Sequence, residues 1–319
     1  MKNLLIHIGL HKTGTTWMQN ELFVSDSEYF IPLSNGESIS GHSSLATKFY
    51  LDNSNDILNS FDDNSKVIHE ELEKLTVDYR ETNKIFVMSH ERLSGYPNSA
   101  GFDASIICQR IKKIFPQAKI LIIIREQVSC ILSNYFQYLN GGGVLSIEQY
   151  LKKRYDERTP VFSENYFKYH YMINYYQTEF QKQNVLVLPY ELFQRDKMVF
   201  FDKLSQFLNI EIKIDPEKFR KQYNLKSNHY INYHFRFLNN YINSSSSLNG
   251  ANGLRFHKSK KFSKKLKRFL SYFGSDMKDK AIQAKLMKVV QEWSKGKFIE
   301  SNKISSELIG EDLTNYGYE

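Results

Sequence analysis

Residues 3–17 read NLLIHIGLHKTGTTW. A short apolar run ends on Gly9, small and polar residues follow, and from Thr15 to Phe23 apolar residues return at helical spacing. The pattern is a strand, a tight loop and a helix. Gly14 lets the backbone approach an anion closely, and the N–H groups of residues 14–17 point out of the helix N-terminus toward it. Thr15 and Thr16 add hydroxyl donors, and Lys12 adds a mobile positive charge. The plain alternative, a threonine-capped helix after a tight turn, explains the turn but leaves the lysine and the paired threonines without a task.

Working outward, further buried strands are expected at 84–88 (KIFVM), 119–124 (KILIII) and 185–188 (VLVL). The run at 119–124 is the most apolar and reads as central. Helices are expected over 66–80, 103–115 (with Asp103 as N-cap and Pro116 beyond its end), 128–139, 163–182, 197–208, 227–243 and 276–293. The glycines at 141–143 stop the third of these segments. Residues 24–65 are polar and resist assignment. Strands of continuous rather than alternating hydrophobicity, interleaved with helices, predict a three-layer α/β fold: a central parallel sheet with helices on both faces. The chain reads as one domain over 1–319. A flexible loop lies near 244–253, and a C-terminal helix and tail (276–319) pack on the rest.

Composition narrows the class. The 319 residues are 41% hydrophobic and 24% charged, with only six prolines, so there is no Pro-rich linker. A net charge of +8 favours anionic partners. Cys108 and Cys130 have neither metal-ligand nor disulfide-framework spacing and read as free thiols of a reducing compartment. His7 and Lys12 break the N-terminal apolar run too early for a signal peptide, and no stretch approaches a membrane span. A cytoplasmic location is expected.

The loop approaches a Walker A motif without matching it. Gly9 and Gly14 have the required separation, yet Thr15 stands where GxxxxGK[ST] needs lysine. That displacement counts against an ordinary nucleoside triphosphate hydrolase. Lys12-Thr13-Gly14-Thr15-Thr16-Trp17 resembles instead the phosphosulfate-binding loop of sulfotransferases that use 3′-phosphoadenosine-5′-phosphosulfate (PAPS). The preceding Leu10-His11 resembles a bacterial branch of that family. A second signature is similar too: Arg125 closes a strand, and Ser133 lies eight residues on in the next helix. The resemblance implies that Arg125 and Ser133 hold the nucleotide 3′-phosphate, a role that suits a guanidinium and a hydroxyl. The family's proline two residues after the arginine is Gln127 here. Residues 185–192 with 201–208, and the tail Ser301–Tyr318, also resemble the family. The tail is similar to that of enzymes acting on surface polysaccharides. The implied donor is PAPS, the product PAP, with no metal required; the implied acceptor is a hydroxyl or amine of a carbohydrate or glycolipid.

Sulfuryl transfer needs in-line attack, a base, and positive charge on the leaving phosphate. Lys12 suits the last task. Met88-Ser89-His90-Glu91-Arg92 follows a strand, at the sheet edge where ligands of open α/β sheets bind. Glu91 is the favoured base, with His90 and His11 as alternatives. A salt bridge from Glu91 to Arg92, or a helix-capping role, would be its structural use.

Residues 255–268 (RFHKSKKFSKKLKR) hold eight Lys or Arg, and Phe262, Leu266, Phe269, Leu270 and Phe273 recur at helical spacing. This basic amphipathic segment reads as a solvated face, as capture of the 3′-phosphate (Arg255 and Lys258 being nearest), as steering of an acidic glycan, or as peripheral membrane contact through 255–273. No nucleic-acid motif accompanies the charge, so a nucleic acid partner is not expected. The aromatic run at 162–176 reads as core plus a wall of the acceptor pocket. A P-loop kinase and a non-catalytic nucleotide-binding protein of the same fold remain the alternatives.

Overall fold

The computed structural model describes residues 3–24, 26–33, 45–50, 61–79, 82–152, 160–221, 223, 229–239 and 275–319. Five strands, β1 (Leu4–Gly9), β2 (Phe30–Pro32), β3 (Ile85–Ser89), β4 (Lys119–Ile124) and β5 (Val185–Pro189), form an all-parallel sheet in the order β2-β3-β1-β4-β5. Ile6 sits opposite Met88 on one side and Ile120 on the other. The middle strand is therefore β1, with β4 beside it.

In chain order the helices begin with α1 (Thr15–Trp17, continued by a π-helical turn over Met18–Leu22), α2 (Phe61–Thr76), α3 (Ala104–Ile114) and α4 (Gln127–Asn140). Next come α5 (Ile147–Leu151), α6 (Tyr169–Phe180), α7 (Tyr190–Arg195) and α8 (Lys197–Leu208). The last are α9 (His229–His234), α10 (Asp276–Ser294) and α11 (Ile299–Ile309).

Because successive strand residues point to opposite faces, each apolar strand feeds two cores. Ile6, Ile8, Ile120 and Ile122 pack toward α2, α3 and α6 through Ile68, Ile107, Ile111, Ile173 and Phe180. Leu5, Val87, Leu121 and Ile123 pack the other way, against Trp17, Met18 and Phe23 and against Phe200 and Leu204 of α8. A third core joins α4, α5 and α10 through Ile131, Tyr135, Tyr150, Leu286 and Val290. Burial on both faces is why the strands carry no alternation. Local caps fix the helix starts: Glu126 accepts the N–H groups of Val128 (2.7 Å) and Ser129 (2.9 Å), and Asp196 accepts that of Val199 (3.1 Å).

Several expectations need correction. A three-residue edge strand, β2, lies inside the unassigned polar stretch, too short to show periodicity. The 163–182 helix is a 3₁₀ turn (Glu164–Phe167) followed by α6, and the 227–243 helix reduces to α9 and a 3₁₀ turn (Arg236–Leu238) among the described residues. The tail contains α11, which packs on α6, and α7 follows β5 directly. Asp103 precedes α3 but caps nothing. Fully buried, it accepts Tyr96 N–H at 3.1 Å and pairs with Arg92 at 3.3 Å. The loop at 244–253 and the basic segment at 255–273, with Arg255 and Lys258, lie outside the described residues. No described helix is long and apolar enough to cross a membrane.

His7 is the anomaly of β1: a fully buried histidine in an aliphatic strand, with Nδ1 2.8 Å from Ser89 Oγ and Nε2 unpartnered. Burial pushes its pKa from 6.5 down to about 3, so the folded chain holds it neutral. Below pH 6.5 the unfolded chain takes up a proton that the native chain refuses. His7 therefore detracts nothing above pH 6.5 and costs up to about 1.4 kcal/mol for each pH unit below it, down to about pH 3. Urea denaturation between pH 7.5 and 5 should show stability falling on acidification, with the slope reduced by about one proton in His7→Asn. An unchanged slope in that variant would assign the acid sensitivity elsewhere.

Candidate functional site

The middle strand ends at Gly9, where the neighbours diverge: β3 lies on one side and β4 on the other, so the sheet has its switch point here. A cleft of about 790 Å³ opens at this carboxyl edge, lined by His11, Lys12, Gly14, Thr15, Thr16 and Trp17 from the loop after β1. Glu91 enters from beyond β3, Arg125 from the end of β4, and Ser133 from α4. Residues spread over 123 positions thus meet in one space.

The loop is held from below. Leu10 N–H donates to Ile123 carbonyl (3.2 Å), Thr13 hydroxyl to Leu10 carbonyl (2.6 Å), and Arg125 Nη1 to Lys12 carbonyl (2.9 Å). Thr13 is fully buried by this bond and does not line the cleft. Gly9 must be glycine, since a Cβ there would stand 2.2 Å from Thr15 Oγ1. Gly14 has φ +78°, and a Cβ would meet Tyr190 at 2.9 Å. Lys12 itself takes φ +70°, an uncommon conformation for a residue with a side chain, and its own side chain is exposed. Trp17 N–H is spent on Gly14 carbonyl (2.9 Å), which removes it from the amides expected to face an anion. Its indole anchors the loop instead, buried against Phe193, Phe201 and Phe219.

The three candidate bases separate. Glu91 lines the cleft and makes no ion pair among the described residues. Arg92, its expected partner, turns the other way to Asp103 and lies over the rings of Tyr50 (4.6 Å) and Tyr96 (4.8 Å). His90 is buried against Tyr50, and its Nδ1 accepts Arg92 N–H at 3.0 Å, capping the turn that carries Glu91. It does not line the cleft. His11 does, with a buried, unpartnered Nδ1. Burial above all pushes its pKa down to about 4. Neighbouring Glu91 opposes that shift, while Arg92, His90 and Lys12 add to it. At neutral pH it is an uncharged ring that holds a proton weakly.

Arg125 also donates Nε to Ser129 Oγ (3.0 Å) and lies 5.5 Å from the Tyr190 ring centre, so its fork is pre-set at the cleft wall. Lys197 and Lys221 join it and Lys12, giving four cations against one carboxylate in the lining. Such a lining suits a ligand with several negative charges. The sequence reading missed both lysines, as well as Tyr190, Phe193, Phe219, Tyr223, Gln137 and Gln194. Gln137 was findable, one helical turn beyond Ser133 on the same face of α4. Tyr190 was also findable, since it begins where β5 ends at the same sheet edge. The lysines carry no local signal. None of residues 162–176 lines this cleft, while Phe162, Phe167, Tyr169, Ile173 and Tyr176 are core, as expected.

Residues 5–214 match a family described as the sulfotransferase family. Among solved structures, a sulfotransferase from Alicyclobacillus acidocaldarius is similar at a TM-score of 0.53 and 15% identity, with 99% of each chain covered. A mouse sulfotransferase complexed with PAP has a TM-score of 0.39 at 14% identity, covering 90% of each chain. The sulfotransferase domain from the curacin biosynthetic pathway has 0.40 at 13%, covering 71% of this chain and 81% of that one. At these identities the likeness concerns fold alone, and it rests on the first of the three. No curated protein matches the chain.

Thr15 Oγ1, in a residue that lines the cleft, is buried and makes no hydrogen bond. Replacing it by an isosteric apolar group removes a desolvation cost of about 1–3 kcal/mol from the free protein. Thr15→Val should therefore melt at the wild-type temperature or above it, while losing most of the thermal protection given by pyrophosphate. A fall in melting temperature with protection retained would show that the hydroxyl serves the fold and no anion.

Proposed function

The chain belongs to the sulfotransferase family, and from that premise we propose that it transfers a sulfuryl group from PAPS to a hydroxyl or amine of a carbohydrate or glycolipid. The observation that carries this reading is the meeting of Lys12, Thr15, Thr16, Arg125, Ser133 and Glu91 around one cleft at the switch point of the sheet. The donor assignment is supported by fit: glycines at 9 and 14 where a Cβ would collide, an orphaned threonine hydroxyl, and four cations. The carbohydrate acceptor is supported by the C-terminal resemblance to polysaccharide-modifying enzymes.

Bound PAPS supplies a sulfuryl group whose bond to the bridging phosphate oxygen breaks as the acceptor oxygen bonds to sulfur, leaving the electron pair on PAP. Lys12 places an exposed, mobile ammonium beside the loop that holds the 5′-phosphate, where it meets the charge growing on the leaving oxygen. Thr15 and Thr16 donate to that phosphate, and Arg125 with Ser133 holds the 3′-phosphate. Glu91, free of Arg92, takes the acceptor proton. His11 beside it keeps a neutral ring in the cleft, and His90 holds the turn that presents Glu91.

The roles separate kinetically. Lys12→Ala should depress kcat more than donor affinity, because its charge is needed as the leaving group develops; Arg125→Ala should chiefly raise donor KM. Equal losses on both parameters in both variants would overturn the division of labour. Product is followed by mass spectrometry as a gain of SO₃ on candidate glycans.

Glu91→Gln keeps the shape of the side chain and removes its basicity. PAP affinity should stay near wild type while turnover falls on the order of 10²-fold or more. His90→Ala should lose stability before turnover, since its ring caps a turn. If Glu91→Gln stays active and His11→Ala is dead, the proton goes to the loop histidine.

A further inference from the structure

Glu21 lies in the π-helical turn directly after the anion loop and does not line the cleft, yet its side chain is only 3% exposed. One carboxylate oxygen pairs with Lys221 Nζ at 3.1 Å, and the other accepts the phenolic hydroxyl of Tyr223. Glu21 carbonyl accepts Lys218 Nζ at 3.1 Å, and the neighbouring Trp17 indole donates to Lys218 carbonyl at 3.2 Å. All four bonds reach Lys218, Lys221 or Tyr223, close together in the chain. Asp215 starts the 3₁₀ turn that delivers this segment by accepting Glu217 N–H at 2.9 Å, and Pro216 presets its backbone. Phe219, Lys221 and Tyr223 then form a wall of the cleft.

A buried carboxylate is a costly fastener for a surface segment. Taking it out of water is repaid poorly by a lysine that is itself 59% exposed. An apolar side chain would pack the segment more cheaply, but it would not fix where a cation and a phenol stand. Hydrogen bonding to Glu21 pushes the Tyr223 phenol up to about 12, so it stays a neutral donor to that carboxylate. The Lys221 ammonium has three N–H donors, and one given to Glu21 leaves two for a ligand.

We propose that Glu21 is a positioning residue of the donor site: it fastens the segment so that Lys221, in the wall of the cleft, meets a phosphate of the bisphosphate nucleotide. The proposal rests on the donor reading above. It makes Lys221 a nucleotide-binding residue and Glu21 the group that sets its direction.

The test is titration calorimetry of the full chain with PAP, for wild type, Lys221→Ala, Glu21→Gln and the double variant, together with donor KM and kcat. Lys221→Ala should weaken PAP about tenfold, the loss of one charge-assisted bond. Glu21→Gln should weaken it roughly three- to tenfold, with the kinetic loss falling on donor KM rather than kcat. The double variant should be no weaker than Lys221→Ala, because both changes remove one interaction. A Glu21→Gln protein with a lower melting temperature and unchanged PAP affinity overturns the proposal, as do losses that multiply in the double variant. If Glu21→Gln does not fold, Lys221→Ala and Tyr223→Phe decide: wild-type affinity in both overturns the proposal, and weakening in both supports it. Failure of the wild-type chain to bind PAP sinks the donor reading itself, a result distinct from any of these.

Discussion

Everything in the cleft takes its position from the way the chain leaves β1. That strand is the middle of the sheet and is buried along its whole length, so its exit is boxed in by β3 and β4. The turn that results is tied to β4 by Leu10 N–H on Ile123 carbonyl, closed on itself by Thr13 on Leu10 carbonyl, and clamped by Arg125 on Lys12 carbonyl. The clamp joins two signatures more than a hundred residues apart. Arg125 is a wall of the cleft and also a strut of the loop it faces, so the loop after β1 and the end of β4 are tied together.

A second constraint sorts the acids and bases on the other side. Ser89, the last residue of β3, sits 2.8 Å from His7 Nδ1, and Gln19 of the π-helical turn donates to Ser89 carbonyl and hydroxyl. These bonds lock the start of the segment that follows. His90 then turns inward as a cap, Arg92 is drawn away by buried Asp103 and two tyrosine rings, and Glu91 alone of the three lines the cleft. Three consecutive polar residues thus acquire three different jobs from packing alone. A salt bridge between neighbours, the simplest use for an adjacent Glu-Arg pair, loses to a buried carboxylate with a stronger claim on the guanidinium.

The same logic explains which parts were legible from residue order. The strands at 4–9, 119–124 and 185–189 announce themselves because burial on both faces demands unbroken apolar runs. The loop after β1 announces itself because glycine and hydroxyl residues at fixed spacing mark a tight turn between a strand and a helix. The three-residue edge strand at 30–32 and the split of the 163–182 helix had no such signature. Edge position and 3₁₀ breaks follow from neighbours rather than from periodicity.

By itself, the sequence determined the α/β class and the strand–loop–helix at β1, because both depend on residue types repeated at short, fixed separations, while Arg125 and Ser133 were picked out by resemblance to the family. Only the tertiary structure decided that Glu91 faces the cleft and His90 does not, that Phe162, Phe167, Tyr169 and Tyr176 go into the core, and that Lys197 and Lys221 join the cations around the loop after β1. Those outcomes depend on which buried group satisfies which other across distant parts of the chain. Local spacing carries no record of that competition.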